Sequence, residues 1–162
     1  DTPMSIMHGD NSGVYQAMRQ LAWLRRRFGE EEKAAQWERR AEALRENMMK
    51  YLWNGRFFIH QLHLNHSGAD DMENERLSLS NTYDMNRGVT TLEQNRAILE
   101  EYRRRCVTIG REVQLLWQDT KEKVTALDVD EEFGLIVRRE NGTVETVRTG
   151  EVSVRGLYGY VE

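Results

Sequence analysis

Residues 90–110 read TTLEQNRAILEEYRRRCVTIG, and the character of the chain changes across them. Thr90 and Thr91 stand three residues before Glu93 and Gln94, the pattern in which a hydroxyl and a side-chain carbonyl satisfy the unpaired N–H groups of a helix start. Ala97, Ile98, Leu99 and Tyr102 follow with Leu92 at roughly helical spacing, and Arg103, Arg104 and Arg105 fall where cations favour the negative end of the helix dipole. Gly110 ends the pattern. Before this stretch the apolar residues recur every three to four positions, and after it they alternate in short runs between turn residues. The stretch is therefore the joint between a helical part and a β part, and the fold class expected is α+β in segregated order.

Working back, Val14, Met18, Leu21, Leu24 and Phe28 define one face of an amphipathic helix, with Asn11 or Ser12 as cap and Gly29 as terminator. Ala34, Trp37, Ala41, Leu44, Met48 and Tyr51 define a second, so the two form an antiparallel helical hairpin. Asn54 and Gly55 predict a turn before the aromatic run Arg56 to Leu64. Residues 65–76 are polar and acidic and read as a surface loop. Leu77 to Gly88 is rich in hydroxyl and amide groups and reads as the lining of a polar cavity.

Working forward, Val113, Leu115 and Trp117 alternate with polar neighbours. Val124 to Val129 and Phe133 to Val137 repeat the habit. Asn141–Gly142 marks a hairpin turn before Val144 and Val147, and Val152 and Val154 close the series. Five short strands in so few residues predict a small, strongly bent barrel or sandwich.

The charge balance of 23 basic and 27 acidic residues disfavours nucleic acid or an anionic membrane as partner. From Thr108 onward there are seven basic and eleven acidic residues, so that part carries the whole excess. No apolar run approaches a membrane span and no signal-peptide pattern is present. The single Cys106 excludes an internal disulfide and fits a reducing, cytoplasmic setting. Asp1 stands where an initiator methionine would, so the chain is expected to be a fragment, a processed product or an incomplete reading frame. His60, His63 and His66 suggest a metal, but steps of three on an extended segment alternate faces, so neither a metal nor any other cofactor is expected.

Two family resemblances attach to these blocks. Gly9 to Tyr15, Leu52 to Phe58 and Leu77 to Gly88 resemble consecutive blocks of the six-hairpin glycosidases, (α/α)6 toroids that include debranching-type and trehalase-type enzymes. The resemblance covers about residues 3–91, roughly one and a half hairpins out of six, and implies sugar binding at the loops on one rim. Within the span of the resemblance, Asp10, Glu75 and Asp84 are the candidate carboxylates for an acid–base pair. Trp53, Asn81, Tyr83 and Arg87 are the candidate sugar contacts, with core packing the alternative for Trp53.

Glu100 to Val113, Asp130 to Val137 and Gly150 to Arg155 resemble the carboxy-terminal SH3-like domain of biotin protein ligases with its lead-in helix. That resemblance implies that Ser153 and Arg155 face a nucleotide or an acceptor protein, while in this chain by itself the expectation for Arg155 is a solvated side chain on an edge strand. The Arg- and Gly-rich loop and the Lys-Trp-Pro-Asn block of the ligase core do not occur in the chain.

The expected organisation is a helical glycosidase-like fragment with its joining helix over residues 1–107 and an SH3-like barrel over 108–162. The expected function is a non-catalytic, carbohydrate-associated accessory module. A glycoside hydrolase completed by self-association and a ligase-related interaction module are the alternatives. A sugar ligand and a second copy of the chain are the expected partners.

Overall fold

The capping pattern at the joint forms through Thr91 and Gln94, while Thr90 Oγ1 donates to Asn95 Oδ1. In the computed structural model, which describes residues 4–65, 70–117, 120–148 and 153–156, the Thr91 N–H donates to Gln94 Oε1 at 2.9 Å and the Gln94 N–H to Thr91 Oγ1 at 3.2 Å. Helix α5 runs from there, Leu92–Arg105. The chain divides into two compact units, Asp1–Ile98 and Leu99–Glu162, so the division falls inside α5.

In the first unit a short strand β1 (Ser5–Met7) leads into α1 (His8–Arg27), and α2 (Glu31–Tyr51) returns antiparallel along it. Gly29, at φ +74°, makes the reversal, a left-handed position where any side chain would be strained. Strand β2 (Gln61–His63) pairs antiparallel with β1. Two short helices follow, α3 (Asp70–Glu75) and α4 (Ser80–Asn86). The core joins Tyr15 of α1 with Ala41 and Met48 of α2, Leu52, Phe58, Ile59 and Val89.

Three sequence expectations change here. Helix α1 starts at His8, before either proposed cap. Asn11 Nδ2 donates to the Met7 carbonyl and Ser12 Oγ to the Gly9 carbonyl, so both lie inside the first turns. The stripe of Val14, Leu24 and Phe28 is exposed, and the buried face of α1 is His8, Ser12, Tyr15 and Ala22. Residues 65–76, expected as loop, include the helix α3 and a buried Glu73.

The predicted turn at Asn54–Gly55 forms. Gly55 has φ +94°, and Asn54 Oδ1 accepts the Arg56 and Phe57 N–H groups at 3.0 Å each.

The second unit is one antiparallel sheet in the order β6-β5-β4-β3-β7. Its strands are β3 (Glu112–Trp117), β4 (Thr120–Val129), β5 (Leu135–Arg139), β6 (Val144–Val147) and β7 (Ser153–Gly156). Val113, Leu115, Val124, Ala126 and Val137 form its core, as the alternation predicts. The β4–β5 ladder slips one residue between Ala126 and Asp128.

Phe133, expected in a strand, lies instead in a turn at φ 62°. Asp130 Oδ1 closes that turn by accepting the Glu132 and Gly134 N–H groups. Arg103 binds the Val129 carbonyl through Nε at 2.9 Å and Nη2 at 2.5 Å, which ties the end of α5 to β4.

The α+β class holds, with helices first and sheet second. The closed barrel does not: among the described residues β6 and β7 are free edges with no ladder between them.

Candidate functional site

The polar residues of the glycosidase-like blocks converge at the start of α1. His8 and Asp84 are both fully buried, and His8 Nδ1 lies 2.5 Å from Asp84 Oδ2. Buried charge needs a partner at hydrogen-bond distance, and this pair, 76 residues apart in sequence, supplies it. The other ring nitrogen, Nε2, lies 2.7 Å from Ser78 Oγ, and the imidazole stacks on Phe58 at 5.8 Å between centroids.

Arg87 reaches the same place. Its Nη1 donates to the Gly9 carbonyl at 2.8 Å and to Ser12 Oγ at 2.7 Å. Asn81 is a clamp: its Oδ1 accepts the Phe58 N–H at 2.8 Å, and its Nδ2 donates to the Phe58 carbonyl at 3.0 Å and the Ser78 carbonyl at 3.3 Å. Gly9 lets α4 approach, because a Cβ there would meet Ser80 Oγ at 2.7 Å.

Ser78, Asn81 and Asp84 of the stretch Leu77 to Gly88 are thus engaged by His8 and the Phe58 backbone. Most of the buried polar groups of that stretch bond to α1 and to the Phe58 backbone. Asp84 and Asn81 are inaccessible, while Tyr83 is 47% exposed with the Arg87 guanidinium 5.3 Å from its ring centre. Trp53 packs edge-on against Phe58 at 5.3 Å.

Asp10 is exposed in the first turn of α1, and Glu75 is exposed and paired with Arg56 at 2.8 Å. Ser153 and Arg155 sit in β7 opposite Leu116 and Gln114, and their side chains lie outside the described residues.

His8 was not singled out by the sequence, and neither was a cavity of about 320 Å³ in the same unit. That cavity is lined by Ile6, Leu44, Met48, Tyr51, Leu52 and Leu62 with the amides of Asn11 and Asn47. An exposed tyrosine ring beside two carboxamides and an apolar floor suits a small ligand with both an apolar face and hydroxyl groups.

His60 Nδ1 and His63 Nε2 both face the buried Glu73, at 3.5 and 3.9 Å, although the spacing of three placed them on opposite faces. No three His, Cys, Asp or Glu among the described residues are grouped to hold a metal ion, and His66 lies outside them.

The sequence model of the trehalase family matches residues 9–123. The chain belongs to the trehalase family. The match takes in α1 to α5 and runs on through β3 into β4, past the joint at which the sequence changes character.

No curated protein sequence matches the chain. Among solved structures, biotin protein ligase from Aquifex aeolicus is similar at 18% identity over 48% of this chain and 33% of that one, with a TM-score of 0.37. An apo structure of biotin protein ligase from the same organism is similar at 16% identity over 60% and 49%, with a TM-score of 0.30. The chain thus spans a third to half of the ligase chains it matches, and at these scores the likeness carries no functional inference. Among the described residues no helix is long and apolar enough to cross a membrane.

Proposed function

We propose that this trehalase-family chain is a carbohydrate-binding portion of a helical toroid, without an acid–base pair of its own for glycosidic cleavage. The observation that carries this reading is Asp84. Glycoside hydrolysis needs two carboxyl groups flanking a sugar, about 5–10 Å apart, and both must reach it. Asp84 has no exposed surface and is held by His8. Asp10 and Glu75 remain at the surface, where Glu75 pairs with Arg56.

The binding half of the proposal rests on the cavity beside α2. Tyr51 is 53% exposed at its mouth, and Asn11 and Asn47 supply the amides. The apolar face of a glucopyranose stacks on an aromatic ring while its hydroxyls take the amides. Titration of the full chain with trehalose and related glucosides is the test. Saturable binding weakened about tenfold or more by Tyr51→Ala is expected, a loss of roughly 1.4 kcal/mol. No binding of any glucoside by the folded chain would overturn it.

A second reading, a hydrolase completed by self-association, is favoured by one observation. Val14, Trp23, Leu24 and Phe28 expose large apolar surface along α1, with Phe28 at 79%. A dimer in light scattering with glucoside turnover supports that reading, and a strictly monomeric chain removes it.

A further inference from the structure

Sugar binding leaves one constellation unused, the chain of side chains Ser78–His8–Asp84. We infer that Ser78 is a nucleophile activated by His8 and Asp84, and that this unit can accept an acyl group from small carboxylic esters.

Three observations carry it. The contacts run in series: His8 Nδ1 lies 2.5 Å from Asp84 Oδ2 and Nε2 lies 2.7 Å from Ser78 Oγ. In the neutral tautomer with the proton on Nδ1, which a carboxylate at Asp84 favours, Nε2 turns its lone pair to the Ser78 hydroxyl.

The order of burial also fits. Asp84 and His8 are fully enclosed, whereas Ser78, at the end of the series, is half-buried beside the exposed Leu79. A nucleophile must be reachable and its orienting carboxylate shielded, and this order meets both needs.

The parts are also held rigidly. Phe58 covers one face of the imidazole, and the Ser78 carbonyl accepts from both the Asn81 N–H and Asn81 Nδ2. Ser78 itself stands between Leu77, which bridges to Ile59, and the start of α4.

Asp84 has no other side-chain partner among the described residues, and Oδ1 accepts no hydrogen bond. Arg87, one turn further on, is directed at Gly9 and Ser12. The positive charge that forms on His8 when it takes a proton is therefore met by Asp84 alone.

In the reaction, Ser78 Oγ bonds to the ester carbonyl carbon while its proton passes to His8 Nε2. The carbon–alkoxide bond then breaks, and the alcohol leaves with that proton. Water attacks the acyl-serine and gives a proton to Nε2, the bond between Oγ and the acyl carbon breaks, and Nε2 returns the proton to Ser78 Oγ as the carboxylic acid leaves. Ser78 and His8 are the catalytic residues, and Asp84 is a positioning residue.

The test treats the full chain with a fluorophosphonate and maps the adduct by mass spectrometry, alongside p-nitrophenyl acetate hydrolysis. The expected result is one adduct per chain on Ser78, absent in Ser78→Ala, with an initial burst of about one equivalent of nitrophenol. Asp84→Asn, checked by melting to be folded, should slow labelling by roughly 10²–10⁴-fold, because the imidazole then adopts the wrong tautomer. A folded wild-type chain that gives no adduct at Ser78 would overturn the inference, and that measurement needs no variant to fold. An Asp84→Asn chain that melts like the wild type and labels at the wild-type rate would overturn the relay.

Discussion

Asn81 gives its whole carboxamide to backbone groups of Phe58 and Ser78, so removing it strands a buried N–H and a buried C=O together. Asn81→Ala should cost about 2–4 kcal/mol, read as a lower midpoint in urea unfolding with unchanged slope. Gly9 makes the same point by steric means. Gly9→Ala places a methyl 2.7 Å from Ser80 Oγ and 2.8 Å from Ser80 Cβ, and should cost roughly 1–3 kcal/mol by the same measurement. At this scale the candidate site was legible only in part. Asp84 and Asn81 stood out as polar residues in a block that resembles glycosidases. Their engagement did not, because the partners His8 and Phe58 lie 76 and 23 residues away and a local pattern carries no signal over such separations.

The α1–α2 hairpin is tied at its tip by ion pairs. Arg25 meets Glu30 at 2.5 Å, Lys33 meets Glu30 at 2.7 Å, and Arg26 grips Glu38 with two nitrogens at 2.8 and 2.9 Å. Lys33 first and Arg25 second hold the Glu30 carboxyl below its ordinary value of 4.5, and Arg26 does the same for Glu38. Because the folded values are the lower ones, this contribution is complete above about pH 4.5 and is lost as pH falls through the folded values. Melting followed by circular dichroism should therefore decline below about pH 4.5, and the Glu30→Gln, Glu38→Gln chain should decline less over that window. The existence of both helices, the Gly29 reversal, the capping box at Thr91 and the strand alternation were all legible, since each follows from local chemistry. The buried face of α1 was not. Its inner positions are His8, Ser12, Tyr15 and Ala22, two of them polar and one small, so Val14, Leu24 and Phe28 of the expected stripe point to solvent while Met18 packs against the core. Phe133 departs from its expected strand because, although an aromatic residue favours a strand, Asp130 closes a turn around it.

Across the whole molecule, a trehalase-family match spans residues 9–123, while the chain folds as two units divided at Ile98. The order of helices and sheet was readable because period and turn residues change together near Gly110. Barrel closure was not, since it depends on whether the edge strands β6 and β7 meet, which alternation does not encode. On the proposal that Asp84, buried against His8, leaves the chain without an acid–base pair, the purified chain should not cleave glycosides. The direct measurement is glucose release from trehalose by the purified chain at high protein concentration, with Asp10→Asn and Glu75→Gln chains run beside it. No release above the buffer rate is expected from any of the three. Release by the wild-type chain that either substitution abolishes would contradict it.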